Sequence, residues 1–180
     1  MERTLQRKQT VQILADSLKD LMERIPLRKI TVQDITENCS LNRHTFYYHF
    51  KDIYDLLDWI YTNEFLAVIN SAGTKDWRTV MHLAIRYAEE NKALVKNVGC
   101  SLPEDVLKKT MYPFMKYWVS LLFAGCCHKY VEQCDKNFLL GFFTDAFTDS
   151  AVRWIKGGMQ EDGEYILKEA DMLQKMMAGT

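Results

Sequence analysis

The stretch TVQDITENCSLNRHTFYYHFK, Thr31 to Lys51, decides how the chain is built. Thr31 has the character of an N-cap, since its hydroxyl can accept from a free backbone N–H, and Asp34 puts negative charge in the turn that follows. Val32, Ile35 and Cys39 give this helix an apolar edge. Ser40 and Leu41 make a turn, and Asn42 caps a next helix from Arg43 to about Phe50. Leu41, Phe46 and Phe50 recur at helical spacing and form an anchoring face. Asn42, Arg43, His44, Thr45, Tyr48 and His49 fall on the other faces, more hydrogen-bonding groups than solubility demands of so short a helix.

Outward from this stretch the apolar spacing stays helical, and the fold class expected is all-α. A first helix is predicted over Leu5–Ile25, with Val11, Leu14, Ala15, Leu18, Leu21, Met22 and Ile25 on one stripe, ended by Pro26. Asp52 caps a long fourth helix running through Ile53, Leu56, Leu57, Ile60, Tyr61, Phe65 and Val68. NSAGTKD, 70–76, reads as a linker. Further helices are expected from Trp77 to Asn91, around Leu94–Val98, from Pro103 with a kink at Pro113, from Asp135 to Ile155, and from Glu161 to Met177 after Gly157-Gly158. The domain division that follows is a head over 1–52 and a body over 53–180.

Composition narrows the function. With 48% hydrophobic and 26% charged residues the chain has the balance of a soluble globular protein. No apolar run approaches the roughly 18 to 20 residues that span a bilayer, and MERTLQRKQT is no secretory signal, so no membrane role is expected and the cytoplasm is the expected location. Five cysteines, an odd number, argue against a disulfide framework. Residues 1–51 carry nine Lys/Arg against six Asp/Glu, whereas the remainder carries 14 against 18. A basic head on an acidic body suits a polyanion binder whose body stays clear of the polyanion.

A helix, a short turn and a second, polar helix form the unit that places a recognition helix in the DNA major groove. Arg43 then approaches a guanine edge or a phosphate, Asn42 reads an adenine edge or caps its helix, and Thr45 offers a hydroxyl and a methyl. Tyr47, Tyr48, His49 and Lys51, with the helix N-terminus at Thr31, are assigned to phosphate. His44 completes the polar set. The plainer alternative makes Tyr47 and Tyr48 core aromatics and leaves the charges to solvate a surface.

ITVQDITENCSLNRHTFYYHFKDIYDLL, Ile30 to Leu57, resembles the N-terminal domain of TetR-family transcriptional regulators, most specifically in TFYYHF at Thr45–Phe50. With the first helix, the resemblance covers residues 6–66. It implies an all-helical homodimer in which a three-helix DNA head sits on a body that senses a small ligand or binds a protein partner. Two departures stand out: Ser40 occupies the turn where the family usually has glycine, and Ile53 replaces a common lysine, with Lys51 as a possible substitute. NRHTFYYHFKDIYDLL together with WIKGGM, 154–159, is also similar to a subgroup related to dihydroxyacetone-kinase-linked activators, in which the body answers to a protein partner.

The resemblance further implies that the last two long helices pair with their copies across a two-fold axis. Phe138, Phe142, Phe147, Trp154, Leu167, Met172 and Met176 are available for that interface or for the core, undivided by sequence. An effector pocket is expected among Trp59, Tyr87, Met111, Tyr112, Met115 and Trp118, with core filling as the alternative. Cys126-Cys127-His128 and Cys134 lack metal-binding spacing, so no metal or other cofactor is expected. Without a Gly-rich phosphate loop, nucleophile elbow or HExxH, the chain is not read as an enzyme. The competing function is a protein-interaction module, docking on a metabolic enzyme or kinase-like partner, with DNA binding secondary or lost.

Overall fold

The computed structural model describes residues 2–71, 73–124 and 133–178, and the side chains of 7–71, 73–124 and 136–176. Cys126, Cys127 and His128 lie outside the described residues, as does the Cys134 side chain. The fold is all-helical, a helix-turn-helix head followed by a helical body, and the chain divides into two compact units, Met1–Val68 and Ile69–Thr180. No described helix is long and apolar enough to cross a membrane.

The first unit contains α1 (Glu2–Met22), a 3₁₀ turn (Leu27–Lys29), α2 (Val32–Asn38), α3 (Arg43–His49), α4 (Ile53–Ile60) and a π-helical turn (Tyr61–Phe65); α5 (Leu66–Ser71) follows and contains the boundary between the units. Leu14, Ala15 and Leu18 of α1 are fully buried with Ile35 of α2, Phe46 of α3 and Leu56 of α4. Each large side chain there contributes about 1.5 to 3 kcal/mol by leaving water. A hydrogen bond fixes α2 on α1: the buried Ser17 hydroxyl donates to the Ile35 carbonyl at 2.7 Å, and Asn38 Nδ2 donates to Ser17 Oγ at 3.1 Å.

In the first unit the C-terminal ends of the first and fourth helices differ from the sequence reading. The first helix ends at Met22 and not at Ile25, because Glu23 and Arg24 donate to the carbonyls of Asp20 and Leu21, tightening the last turn before Pro26. The fourth helix does not run through to Val68: it opens into the π turn, where Glu64 takes the Lys19 ammonium at 2.8 Å and Gln12 Nε2 at 3.1 Å. Burial alone would lower the Lys19 pKa, but the bonds and charges of Glu64 and Asp16 outweigh it and hold it above the ordinary value. The extra residue of a π turn is a tertiary adjustment that no apolar periodicity encodes.

The second unit holds α6 (Trp77–Glu90), α7 (Lys92–Ser101), α8 (Glu104–Ala124), α9 (Gln133–Lys156) and α10 (Glu164–Ala178). α7 is longer than expected, and α10 begins three residues later than expected, after a buried Gly163. Pro113 lies inside α8. Trp118 is fully buried at the centre, edge-on to Trp77 and Phe147, with its ring N–H donating to the Trp77 carbonyl at 2.8 Å.

The WIKGGM segment is a knot of backbone bonds. Gly158 takes φ +82° and Met159 φ +53°, and Met159 N–H reaches back to the Trp154 carbonyl at 2.9 Å while Gly158 N–H reaches that of Ile155 at 3.0 Å, the paired bonds of a Schellman end. Lys92 donates to the Met159 carbonyl at 2.7 Å, and Lys156 to the carbonyls of Gly99 and Leu102, so the turn also closes the end of α7.

Candidate nucleic-acid interface

The two short helices are set by local caps. At α2, Thr31 Oγ1 accepts from Asp34 N–H at 3.2 Å, while the Asp34 carboxylate accepts from Thr31 N–H at 2.8 Å and from its hydroxyl at 2.7 Å. The Thr31 side chain and then its backbone N–H hold the Asp34 carboxyl below its ordinary pKa, with a smaller contribution from the Arg43 charge. Thr31 therefore enters any interface as half of a capping box whose own N–H and hydroxyl are already directed to Asp34.

α2 ends in a second Schellman arrangement. Ser40 sits at φ +57°, Ser40 N–H donates to Glu37 O at 3.2 Å and Leu41 N–H to Thr36 O at 2.8 Å. Ser40 thus reaches the left-handed conformation that glycine adopts without penalty. Asn42 then caps α3: its Oδ1 accepts from Thr45 N–H at 2.8 Å and from the Thr45 hydroxyl at 3.1 Å. Of the two roles open to Asn42, capping is the one its carbonyl performs, and the Thr45 hydroxyl is tied into the same cap.

Phe46 and Phe50 anchor α3, with Phe46 fully buried, Phe50 nearly so and their rings 5.7 Å apart, and Leu41 half-buried. The opposite side faces solvent: Arg43 and His44 are exposed, Tyr47 is 58% exposed and Tyr48 74%. Leaving more than half of each tyrosine in water is a poor use of an aromatic unless something covers it. The plain reading of Tyr47 and Tyr48 as core residues is incompatible with this exposure.

His49 is half-buried, and its Nδ1 is enclosed without a hydrogen-bond partner among the described residues. Burial, then the nearby Arg7 charge, holds its pKa below the ordinary histidine value. Lys51 is exposed; its backbone N–H donates to Asp55, and Asp52 caps α4 through Asp55 N–H at 2.9 Å.

Two participants had no local signal. Arg7 of α1 places its guanidinium 5.9 Å from the Tyr48 ring centroid. Arg43 Nη2 donates to Gln33 Oε1 of α2, ten residues away in sequence. An amphipathic pattern tells which face of a helix is wet, not which wet side chains of different helices meet.

The residues named for a pocket fall in both units. Trp59 belongs to the first unit, half-buried against Phe50 with ring centroids 6.5 Å apart. In the second, Trp118 and Met115 are buried, whereas Tyr87, Met111 and Tyr112 are half-buried. An open depression of about 430 Å³ lies along α6 and the start of α10, lined by Thr79, His82, Leu83, Arg86, Glu89 and Glu164. His82 Nδ1 meets Glu164 there at 2.9 Å. Among the described residues, no group of three or more His, Cys, Asp or Glu is placed to hold a metal ion.

The large apolar residues expected at an interface or in the core of the last two helices fall into two sets. Phe147, Trp154 and Leu167 are core, while Phe138, Phe142, Met172 and Met176 are exposed by 69, 57, 62 and 74%.

Comparison with known proteins bears on the family and the fold. A TetR-type family model, described as the transcriptional regulator C-terminal region, matches residues 75–179. Over 114 residues, 63% of its length, the chain is 33% identical to the HTH-type dhaKLM operon transcriptional activator DhaS of Lactococcus lactis subsp. lactis, and the match spans 58% of that relative. A solved structure of a dihydroxyacetone kinase operon activator, DhaS, superposes with a TM-score of 0.72 at 22% identity, covering 93% of this chain and 97% of that one, a likeness of fold.

Proposed function

The chain belongs to the TetR family of transcriptional regulators, and on that premise we propose that it is a sequence-specific DNA-binding regulator that works as a homodimer in the cytoplasm. The observation that carries this reading is the exposed face of α3, where Arg43, His44, Tyr47 and Tyr48 stand clear of a helix held down by Phe46 and Phe50. Arg43 is the base-reading group, with His44 and the Thr45 methyl beside it; Tyr47, Tyr48, His49 and Lys51 lie along phosphates, with the capped N-terminus at Thr31 and Asn42 setting the angle of approach. The functional head is residues 1–52, and residues 53–180 carry control and pairing.

Pairing through α9 and α10 is supported by the exposed Phe138, Phe142, Met172 and Met176, a set of large apolar side chains that a lone chain would leave wet. The relative's name, a transcriptional activator of the dhaKLM operon, supports control of an operon as an activator, with the body answering to a protein partner or a small ligand. Either effector shifts the DNA-competent arrangement only by binding it with a different affinity from the other arrangement. Tyr87, Met111, Tyr112, Met115 and Trp118 remain the proposed lining for a small ligand; for Trp118 and Met115 this requires the core to open.

Selection of bound fragments from the source genome tests the function. Recovery of a common palindromic sequence is the expected result; recovery of random fragments, with a stoichiometric protein captured instead, would favour the interaction module.

A further inference from the structure

We propose that Gln33 of α2 determines base specificity as a positioning residue, holding the Arg43 guanidinium so that its remaining donors meet one base edge. The proposal rests on the reading of Arg43 as a base-contacting group. Arg43 Nη2 donates to Gln33 Oε1, and Gln33 Nε2 donates to Glu37 Oε1 at 2.6 Å. The second bond settles the amide orientation: with Glu37 accepting from the nitrogen, the Gln33 carbonyl is turned toward the arginine. The three side chains form a line across the exposed top of the two helices, Arg43 at the start of α3, Gln33 and Glu37 one turn apart on α2.

Both ends of this line are built on fixed backbone. α2 is held from beneath by the Ser17–Ile35 bond and closed by the Leu41–Thr36 bond, and the first turn of α3 is held by the Asn42 cap. A guanidinium has five N–H donors, so one directed to Gln33 leaves four, enough for the two parallel bonds that a guanine O6 and N7 accept. An arginine on a short exposed helix otherwise loses much rotamer freedom when it docks, and fixing it beforehand removes part of that loss. A neutral amide suits this task because it accepts from the guanidinium without cancelling the charge that DNA attracts, which a carboxylate would do.

The test measures a discrimination ratio, the affinity for the selected duplex divided by that for a duplex changed at the base pair whose preference vanishes in Arg43→Ala. Gln33→Ala is expected to lower the ratio by about 3- to 10-fold, the scale of one immobilised side chain. The double variant Gln33→Ala/Arg43→Ala should be no worse than Arg43→Ala alone, since the glutamine acts through the arginine. Thermal melting of each variant confirms that it folds, and a purely structural Gln33 would move the melting point and not the ratio. An unchanged ratio in Gln33→Ala, or additive losses in the double variant, overturns the proposal while leaving the Arg43 reading intact. An unchanged ratio in Arg43→Ala removes the underlying reading and this proposal with it.

Discussion

Leu41 N–H donates to the Thr36 carbonyl at 2.8 Å, closing the end of α2 over a Ser40 held at φ +57°. That bond sets where α3 starts, and its cost is a left-handed conformation taken by a residue with a Cβ, roughly 1 to 2 kcal/mol. Ser40→Gly relieves the strain but adds unfolded-state freedom, so a net gain of about 0.5 to 1 kcal/mol is expected. Urea denaturation checks it: the midpoint should rise with the slope unchanged. The family departure at Ser40 is thus a matter of stability and not of lost geometry.

Ser17→Ala should cost about 1 to 2 kcal/mol, because it leaves the buried Ile35 carbonyl without the hydroxyl and takes one acceptor from Asn38. The same denaturation experiment reads it, and DNA affinity should fall with the population of the correctly docked α2.

Gly99 and Gly163 are places where the second unit has no room. A Cβ at 99 would lie 2.3 Å from Ile155 Cγ2, and one at 163 would lie 2.8 Å from Ile85 Cγ2 and 2.9 Å from the Trp154 ring. Gly99→Ala and Gly163→Ala should each destabilise by about 1 to 3 kcal/mol, measured as a lower melting temperature.

The pH dependence of the head follows from His49. Its folded pKa lies below the ordinary histidine value, so the unfolded chain binds the proton first. The stability this group contributes is present above about pH 6.5, its unfolded value, and is lost as pH falls through the folded value. Between pH 7.5 and 5.5 the wild type should lose stability relative to His49→Gln, in parallel urea titrations at the two pH values.

Much of the head was legible because its determinants are local. Thr31, Asn42 and Asp52 each cap a helix within three residues of themselves, and Phe46 and Phe50 are four apart on one face, so spacing alone places them. What escaped depends on contacts between elements. The π turn exists where Glu64 meets Lys19 across 45 positions, and the Arg43–Gln33 and Arg7–Tyr48 contacts join helices whose patterns say only that these residues are exposed. In the same way, Phe138 and Phe147 are both aromatic positions on α9, yet one is wet and the other packs on Trp118. A hydrophobic side chain does not encode whether its partner lies in its own chain.

The most direct measurement of the account is fluorescence anisotropy with a duplex selected from the genome, comparing wild type with Arg43→Ala and Lys51→Ala over a range of salt. Arg43→Ala should lose about 1 to 3 kcal/mol of preference at one base pair. Lys51→Ala should weaken every duplex alike and lower the salt slope by about one. Wild-type base preference in Arg43→Ala, or a salt slope unchanged by Lys51→Ala, would contradict the assignment of the exposed α3 face to DNA.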